Sequence, residues 1–310
     1  MLKNELGDLA SYRDIISYPT PYSGAKAAFY MKFAFNIPSM LKTIKKEHEI
    51  VERMLSREKY HRIISDNRYG IYSKSVPSYL ITHQLRFMAP KRIRFIENRT
   101  ERFVSSKKDG FDRFIVPDDE EGTLSGELSH ELRHIPRKKI FYSGPLSDFS
   151  RKETEEDIGL LVSISGPEPQ RTIFERMIMN QQEHFPENTV ITLGKSEDFR
   201  KERWKRARVY TYLSKADRED IMNRSRLVLS RSGYSTIMDL AVLGKKAMFV
   251  PTPGQTEQEY LSEYHMEKGT YFSIGQKEFS LETALERAKE YRGIRMDGDR
   301  SVERILNLVG

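Results

Sequence analysis

Three short stretches of this chain gather oxygen- and nitrogen-bearing side chains around a glycine, each at the end of an apolar, strand-like run. Ser165-Gly166-Pro167-Glu168-Pro169-Gln170-Arg171 ends the run 158–165. Ser230-Arg231-Ser232-Gly233-Tyr234-Ser235-Thr236 ends 226–230, with Asp239 one turn into the following helical pattern. Pro251-Thr252-Pro253-Gly254-Gln255-Thr256-Glu257-Gln258-Glu259 ends 246–250. The first turn would present backbone N–H groups at the start of a helix from Thr172. Such an end attracts a phosphate or diphosphate, and Arg171 would add to it. It is neither a Walker loop nor G-x-G-x-x-G. In the second turn Gly233 lets a ligand approach the backbone, the hydroxyls and amides suit oxygens, and Asp239 is placed to take a ribose diol. In the third, Gln255, Gln258 and Glu259 are hydrogen-bonding groups of the kind sugar hydroxyls require. Each turn taken singly also reads as a helix cap. Three at one sheet edge are harder to explain that way, because the carboxyl ends of parallel strands are where open α/β sheets hold ligands.

The elements that must position these turns follow from the pattern around them. In the second half, β-branched or apolar runs at 158–165, 188–194, 208–213, 226–230 and 246–250 alternate with helix-compatible segments such as KADREDIMNR, TIMDLAVLG and TEQEYLSEYHMEKG. That alternation predicts βαβ units and a parallel sheet covered on both faces. LETALERAKEYR and RSVERILNLV read as closing helices. The first half is predicted to be a smaller α/β domain. It has a helix over 37–55 and short strands in HRIISD, SYLITHQ (78–84), RFIVPD (113–118) and KIFYSGPL (139–146). The charged stretch 146–159 is the expected boundary, giving domains of 1–148 and 155–310. The aromatic segment 21–38 reads as buried packing of Phe29, Phe33 and Phe35, with a membrane- or acceptor-facing patch as the alternative.

Composition bounds the rest. A chain of 310 residues exceeds the usual size of a single core, so two domains are expected. With 38% hydrophobic and 31% charged residues it is a globular chain, and no window approaches the apolar length of a membrane span. The absence of cysteine removes disulfides, thiolate metal ligands and cysteine nucleophiles. The amino-terminal stretch MLKNELGDLASYRD is not a secretory signal, so the cytoplasm is the expected compartment. Net charge is +7 with a pI near 9.3. Lys42, Lys45 and Lys46 form one basic cluster; Lys91, Arg92 and Arg94 a second; Arg137, Lys138 and Lys139 a third. Lys201, Arg203, Lys205, Arg206 and Arg208 form the densest. They read as solvated helix faces with interleaved acids, as in KSEDFRKERWKR, or as a surface for phosphates or an anionic leaflet. No nucleic-acid motif accompanies them, so nucleic acid is not an expected partner.

The second and third turns, RSGYSTIMD, LGKKAMF and VPTPGQTEQ in their order and spacing, resemble the donor-binding half of the lipid-linked N-acetylglucosaminyltransferases of glycosyltransferase family 28. The first half resembles uncharacterised bacterial glycosyltransferases of this kind through ISDNRYG, THQL and PDDEEGTLSGELSH. The resemblance implies the GT-B fold, two Rossmann-like domains facing a cleft that holds a nucleotide sugar. It also implies a peripheral place on the inner membrane face, in cell-envelope chemistry. Its donor site would comprise Arg231 through Thr236 of the second turn and Thr252, Gly254 and Gln255 of the third. Asp239 would stand at the family's ribose-binding glutamate and Gln258 with Glu259 near the donor sugar, while Ser165 and Gly166 replace a glycine-rich diphosphate loop. The family's first loop, of G-x-G-H or G-G-H type, has no counterpart. The first domain is therefore expected to be shorter at its amino end by a strand–helix pair or two.

This reading implies inverting, metal-independent transfer from a nucleoside-diphosphate sugar, foremost a UDP-sugar, to a lipid-linked or glycan hydroxyl. It calls for no cofactor. A base would come from the first domain, where Asp66 at the end of HRIISD and His83 at the end of SYLITHQ stand in the required position. Asp66 also fits an Asx turn, and His83 a structural hydrogen bond. The alternatives are a nucleotide-sugar-binding subunit that needs a partner and a sugar-nucleotide 2-epimerase of GT-B fold. His130-Glu131-Leu132-Arg133-His134 matches the zinc-peptidase pattern H-E-x-x-H, but Pro136 would end any helix there.

Overall fold

The computed structural model describes residues 7–16, 18, 26–195 and 200–310, with the backbone alone for Asp8 and residues 26–35. The side chains of Phe29, Phe33 and Phe35, expected to be buried, lie outside the described part, as do residues 196–199 of the densest basic segment.

Two parallel sheets organise the chain. The first contains β1 (Ile63–Asp66), β2 (Ser78–Ile81), β3 (Arg113–Val116) and β4 (Ile140–Tyr142), in that order across the sheet and all parallel. Helix α1 (Lys26–Leu55) precedes it and α2 (Arg94–Ser105) links β2 to β3. The second sheet contains β5 (Leu160–Ser163), β6 (Thr189–Thr192), β7 (Lys201–Trp204), β8 (Ala207–Tyr210), β9 (Leu227–Ser230), β10 (Lys246–Phe249) and β11 (Phe272–Ser273). Its order is β11-β10-β9-β5-β6-β8-β7, parallel except for the β7–β8 pair. Helices α3 (Gln170–Met179), α4 (Lys215–Asn223), α5 (Tyr234–Leu243), α6 (Thr256–Glu267) and α7 (Leu281–Arg287) connect or cover these strands.

The near-continuous apolar runs of β5, β9 and β10 follow from burial on both faces. Leu161, Val228 and Phe249 belong to one core cluster, and their neighbours Leu160, Leu229 and Met248 to the cluster on the other face. Helix α5 is apolar nearly all round because it is nearly all buried. It stops at Gly244, whose φ of 66° is the left-handed conformation that ends helices at little cost in glycine.

Two expectations need correction. KERW, read as part of a charged helix face, is the antiparallel edge strand β7, which pairs Lys201 with Tyr210 and Trp204 with Ala207. Its charges line an exposed edge, where polar side chains suit a strand as well as a helix. The boundary at 148–155 also does not divide the molecule cleanly. Helix α8 (Ser301–Val309) returns to the first sheet and packs Ile305 and Val309 against Tyr79 and Ile115. Sequence periodicity foresaw the helix but carries no information on which sheet it covers.

Candidate functional site

All three polar turns leave the carboxyl ends of neighbouring strands, β5, β9 and β10, as expected. They are bound together by Arg231. This guanidinium is buried, donating to Val250 O (2.9 Å), Pro251 O (3.2 Å), Gln170 O (3.3 Å) and Gln276 Oε1 (2.8 Å). It also lies over the Phe174 ring, 4.2 Å from its centroid. These partners are carbonyl and amide oxygens rather than carboxylates. Burial pushes its pKa down to about 10, so it remains charged at neutral pH. The floor beneath the turns therefore carries a positive charge whose polar partners are all uncharged.

The second turn opens α5. Its N-cap is Gly233, so no side chain caps the first backbone N–H groups. Gly233 has a φ of −75°, which any residue adopts, and a Cβ built on it would meet nothing within 4 Å. Neither backbone nor packing demands glycine here; its effect is to leave the helix terminus open. Ser235 is exposed and Thr236 half-buried beside it. Ser232 and Tyr234 face inward instead. Ser232 Oγ donates to Gln258 O (2.8 Å), and Tyr234 Oη donates to Pro117 O of the first domain (2.8 Å).

Asp239 accepts a hydrogen bond from Ser147 Oγ at 2.6 Å, in the segment joining the domains. Burial raises its pKa to about 6. With Ser235, one turn earlier on the same face, it borders a groove of about 360 Å³ shared with Ser147, Asp148, Arg218 and Val302.

In the first turn Ser165 and Gly166 are exposed, and Gly166 has a φ of 105°, a conformation that favours glycine. Arg171 turns aside, donating to Glu168 Oε1 (2.7 Å) and to Gly194 O (3.0 Å). In the third turn Gln258 and Glu259 fold the loop onto α6: Gln258 Oε1 accepts from Thr252 N (2.9 Å) and Glu259 Oε1 from Gly254 N (2.9 Å). Gln255 is the N-cap residue of α6 and half-buried. The sequence shows which polar groups a turn holds but not whether they point outward, so it could not separate Gln255 from Gln258.

The first domain meets these turns through His83. Its ring stacks on Tyr234 with centroids 4.1 Å apart and planes within 5°. Nε2 donates to Glu257 Oε1 at 2.9 Å, and Gln84 Nε2 donates to Glu257 Oε2. With the Nε2 proton fixed by that carboxylate, the lone pair of a neutral ring lies on Nδ1. Glu257 was missed as a site residue: it stands among the turn residues, but its partners are more than 170 positions away. Asp66 is exposed at the end of β1. His130 and His134 do not share a helix face. His130 Nε2 donates to Asp119 O (2.9 Å), His134 Nε2 accepts from Arg102 Nε (3.3 Å), and Glu131 between them has a φ of 51°. Of the basic clusters, Arg92 and Arg94 are bound by Glu97 and Glu127. Among the described residues, no helix is long and apolar enough to cross a membrane.

Residues 169–292 match the glycosyltransferase family 28 C-terminal domain, and none of the curated proteins matches the sequence. Among solved structures, the glycotransferase of kitacinnamycin superposes with a TM-score of 0.59 at 12% identity, over 89% of this chain and 82% of that one. MurG of Acinetobacter baumannii gives 0.54 at 10% identity, over 89% and 78%. A UDP-GlcNAc 2-epimerase from Neisseria meningitidis bound to UDP-GlcNAc gives 0.53 at 13%, over 87% and 82%. At such identities the superpositions speak for the fold. Residues 169–292 are thus similar to the glycosyltransferase family 28 C-terminal domain, in a chain of GT-B fold.

Proposed function

We propose that this protein transfers a sugar from a nucleoside-diphosphate sugar to an acceptor hydroxyl in the cleft between its domains. The observation that carries the reading is the position of His83. A first-domain imidazole rests against the second and third turns together, through Tyr234 and Glu257. The diphosphate would lie over the open amino terminus of α5 and the Ser165–Gly166 backbone, above the charge of Arg231. Asp239 and Ser235 would take the ribose, and Thr252 and Gln255 the sugar.

In the step itself, the acceptor hydroxyl gives its proton to His83 Nδ1 as its oxygen bonds to the anomeric carbon. The bond from that carbon to the diphosphate breaks and its electron pair leaves with the nucleotide, with inversion. Charge growing on the leaving oxygens is met by the helix N–H groups and Arg231 without reorganisation. Glu257 holds the imidazole in the tautomer that exposes Nδ1. Asp66 is the second candidate base. A UDP-sugar is the first donor to try, with a lipid-linked or glycan hydroxyl as the acceptor class.

The test is thermal stabilisation by a panel of uridine, guanosine and thymidine diphosphate sugars, followed by turnover with the donor that binds. The native protein should be stabilised by one nucleotide class and should release the free nucleotide when acceptor is present. His83→Ala should keep that stabilisation and lose transfer by about 10²-fold or more. No stabilisation by any nucleotide refutes the donor site. Conversion of the sugar at C2 without acceptor would make the protein an epimerase instead.

A further inference from the structure

The first sheet ends at β1, which has no strand on its outer side among the described residues. Ile63 N and Asn67 N donate to Pro77 O (2.8 Å) and Ile81 O (2.9 Å) of the β2 segment. Alternate residues of a parallel strand bond to the same neighbour, so the backbone groups of Ile64 and Asp66 turn outward. Ile64 lies in register with Tyr79, which packs under α8, so its side chain shares that face; it is 46% exposed. Arg62 and Asp66, two residues to either side, project from the same face and are exposed. Helix α8 extends the apolar surface. Arg304 donates to Tyr142 O of β4 at 2.9 Å. Leu306, two residues from Arg304, lies on the opposite flank of the helix and is 59% exposed.

We propose that β1 pairs with β1 of a second copy of this chain, antiparallel and centred on Ile64, joining two four-stranded sheets into one. Charge selects this occupant. About a two-fold axis at Ile64, Arg62 faces Asp66 of the second copy and Asp66 faces its Arg62, so both polar pairs are of opposite sign. A strand guarded against pairing carries one sign of charge, or a proline. This one carries opposite signs placed symmetrically about an apolar centre. Arg62 also donates to Gly310 O of its own chain, an anchor that leaves further guanidinium N–H groups for a carboxylate. Among the described residues each β1 has one side without a strand, so the contact closes at two copies.

Sedimentation equilibrium of the full chain at micromolar concentration tests this. The native protein should have twice its chain mass of 36.3 kDa. Arg62→Asp should weaken association by about tenfold or more, because carboxylates then oppose each other across the strands. Ile64→Lys should give a monomer, and Arg62→Asp with Asp66→Arg should restore the dimer, with circular dichroism showing each variant folded. A native monomer at every concentration overturns the proposal. So does a dimer indifferent to Arg62→Asp, or a charge-swapped variant as weak as the single one.

Discussion

Replacing Asp239 by asparagine should stabilise the protein at neutral pH while weakening its hold on a nucleotide sugar. The carboxyl group is withdrawn from water between α5 and the interdomain segment, which raises its pKa from 3.8 to about 6. The hydrogen bond from Ser147 and the charge of Arg218 oppose that rise, and Asp148 adds to it. A native pKa above the unfolded one means that the folded state holds the proton more tightly between the two values. The stabilisation is complete below the unfolded pKa and lost as pH rises through about 6. The difference corresponds to about 3 kcal/mol in full. Because the group is only half-buried, a working figure of about 1–2 kcal/mol is appropriate.

An asparagine at this position would still offer Ser147 an acceptor oxygen and would never ionise. The variant should therefore exceed the parent by about 1–2 kcal/mol at pH 7.5, or about 2–6 °C in Tm, and match it near pH 4. His265 acts in the opposite direction. Burial pushes its pKa down to about 4, so stability from that group rises with pH between about 4 and 6.5. The parent's own profile mixes the two, and the quantity to follow is the difference between variant and parent. Urea unfolding by circular dichroism from about pH 4 to pH 8 measures it, with calorimetric titration of the donor alongside. A difference that does not grow with pH, or an asparagine variant less stable at pH 7.5, refutes the electrostatic argument. Unchanged donor affinity refutes the ribose assignment.

Arg231→Met should cost about 3 kcal/mol, because Val250 O, Pro251 O and Gln170 O all lose a buried donor at once. Denaturant unfolding reads the loss, and a cost below about 1 kcal/mol would show that the three turns hold together without it. Gly233→Ala should change stability by no more than about 1 kcal/mol, since the backbone is ordinary and the space is open. Donor affinity should nevertheless fall by about tenfold, because the added methyl sits over the α5 amino terminus. Equal affinity for the two forms in a titration would move the diphosphate elsewhere.

What the sequence made legible was whatever depends on short-range pattern. The apolar runs that became β5, β6, β9 and β10 are buried on both faces, and that of β8 on one, and all are bounded by turn residues, so their type and order could be read directly. β7 was misread because three charged residues and a tryptophan on an exposed edge look like a solvated helix. α2 went unread, since its buried Glu97 and Glu101 look like surface acids until Arg92 and Arg86 are found beside them. For the candidate site, the three turns and His83 were legible, but the direction of each side chain was not. Ser232, Tyr234, Gln258 and Glu259 have the chemistry of ligand groups and spend it on the protein itself. Glu257 has the same chemistry, and its role appears only when the first domain is brought against it.

That contact bears on how the two halves of the site can work. Glu257 belongs to the third turn by sequence, yet both its carboxylate oxygens accept from first-domain side chains, His83 and Gln84. Farther along α6, Tyr264 Oη donates to Gly122 O (2.8 Å) and His265 Nε2 to Leu124 O (3.1 Å), while Tyr260 Oη accepts from Glu127 N (2.7 Å). One helix thus carries the third turn at its amino end and is clasped along its length by the loop after β3. A displacement of the domains that separated His83 from Glu257 would have to break several of these buried bonds, each worth about 1 kcal/mol net. The proposed base and the proposed donor turn are therefore set in register by α6 before any ligand arrives. A sugar held by Gln255 and Thr252 would be presented to His83 without a large closure of the domains, and the entropic cost of aligning the reacting groups is met by the fold.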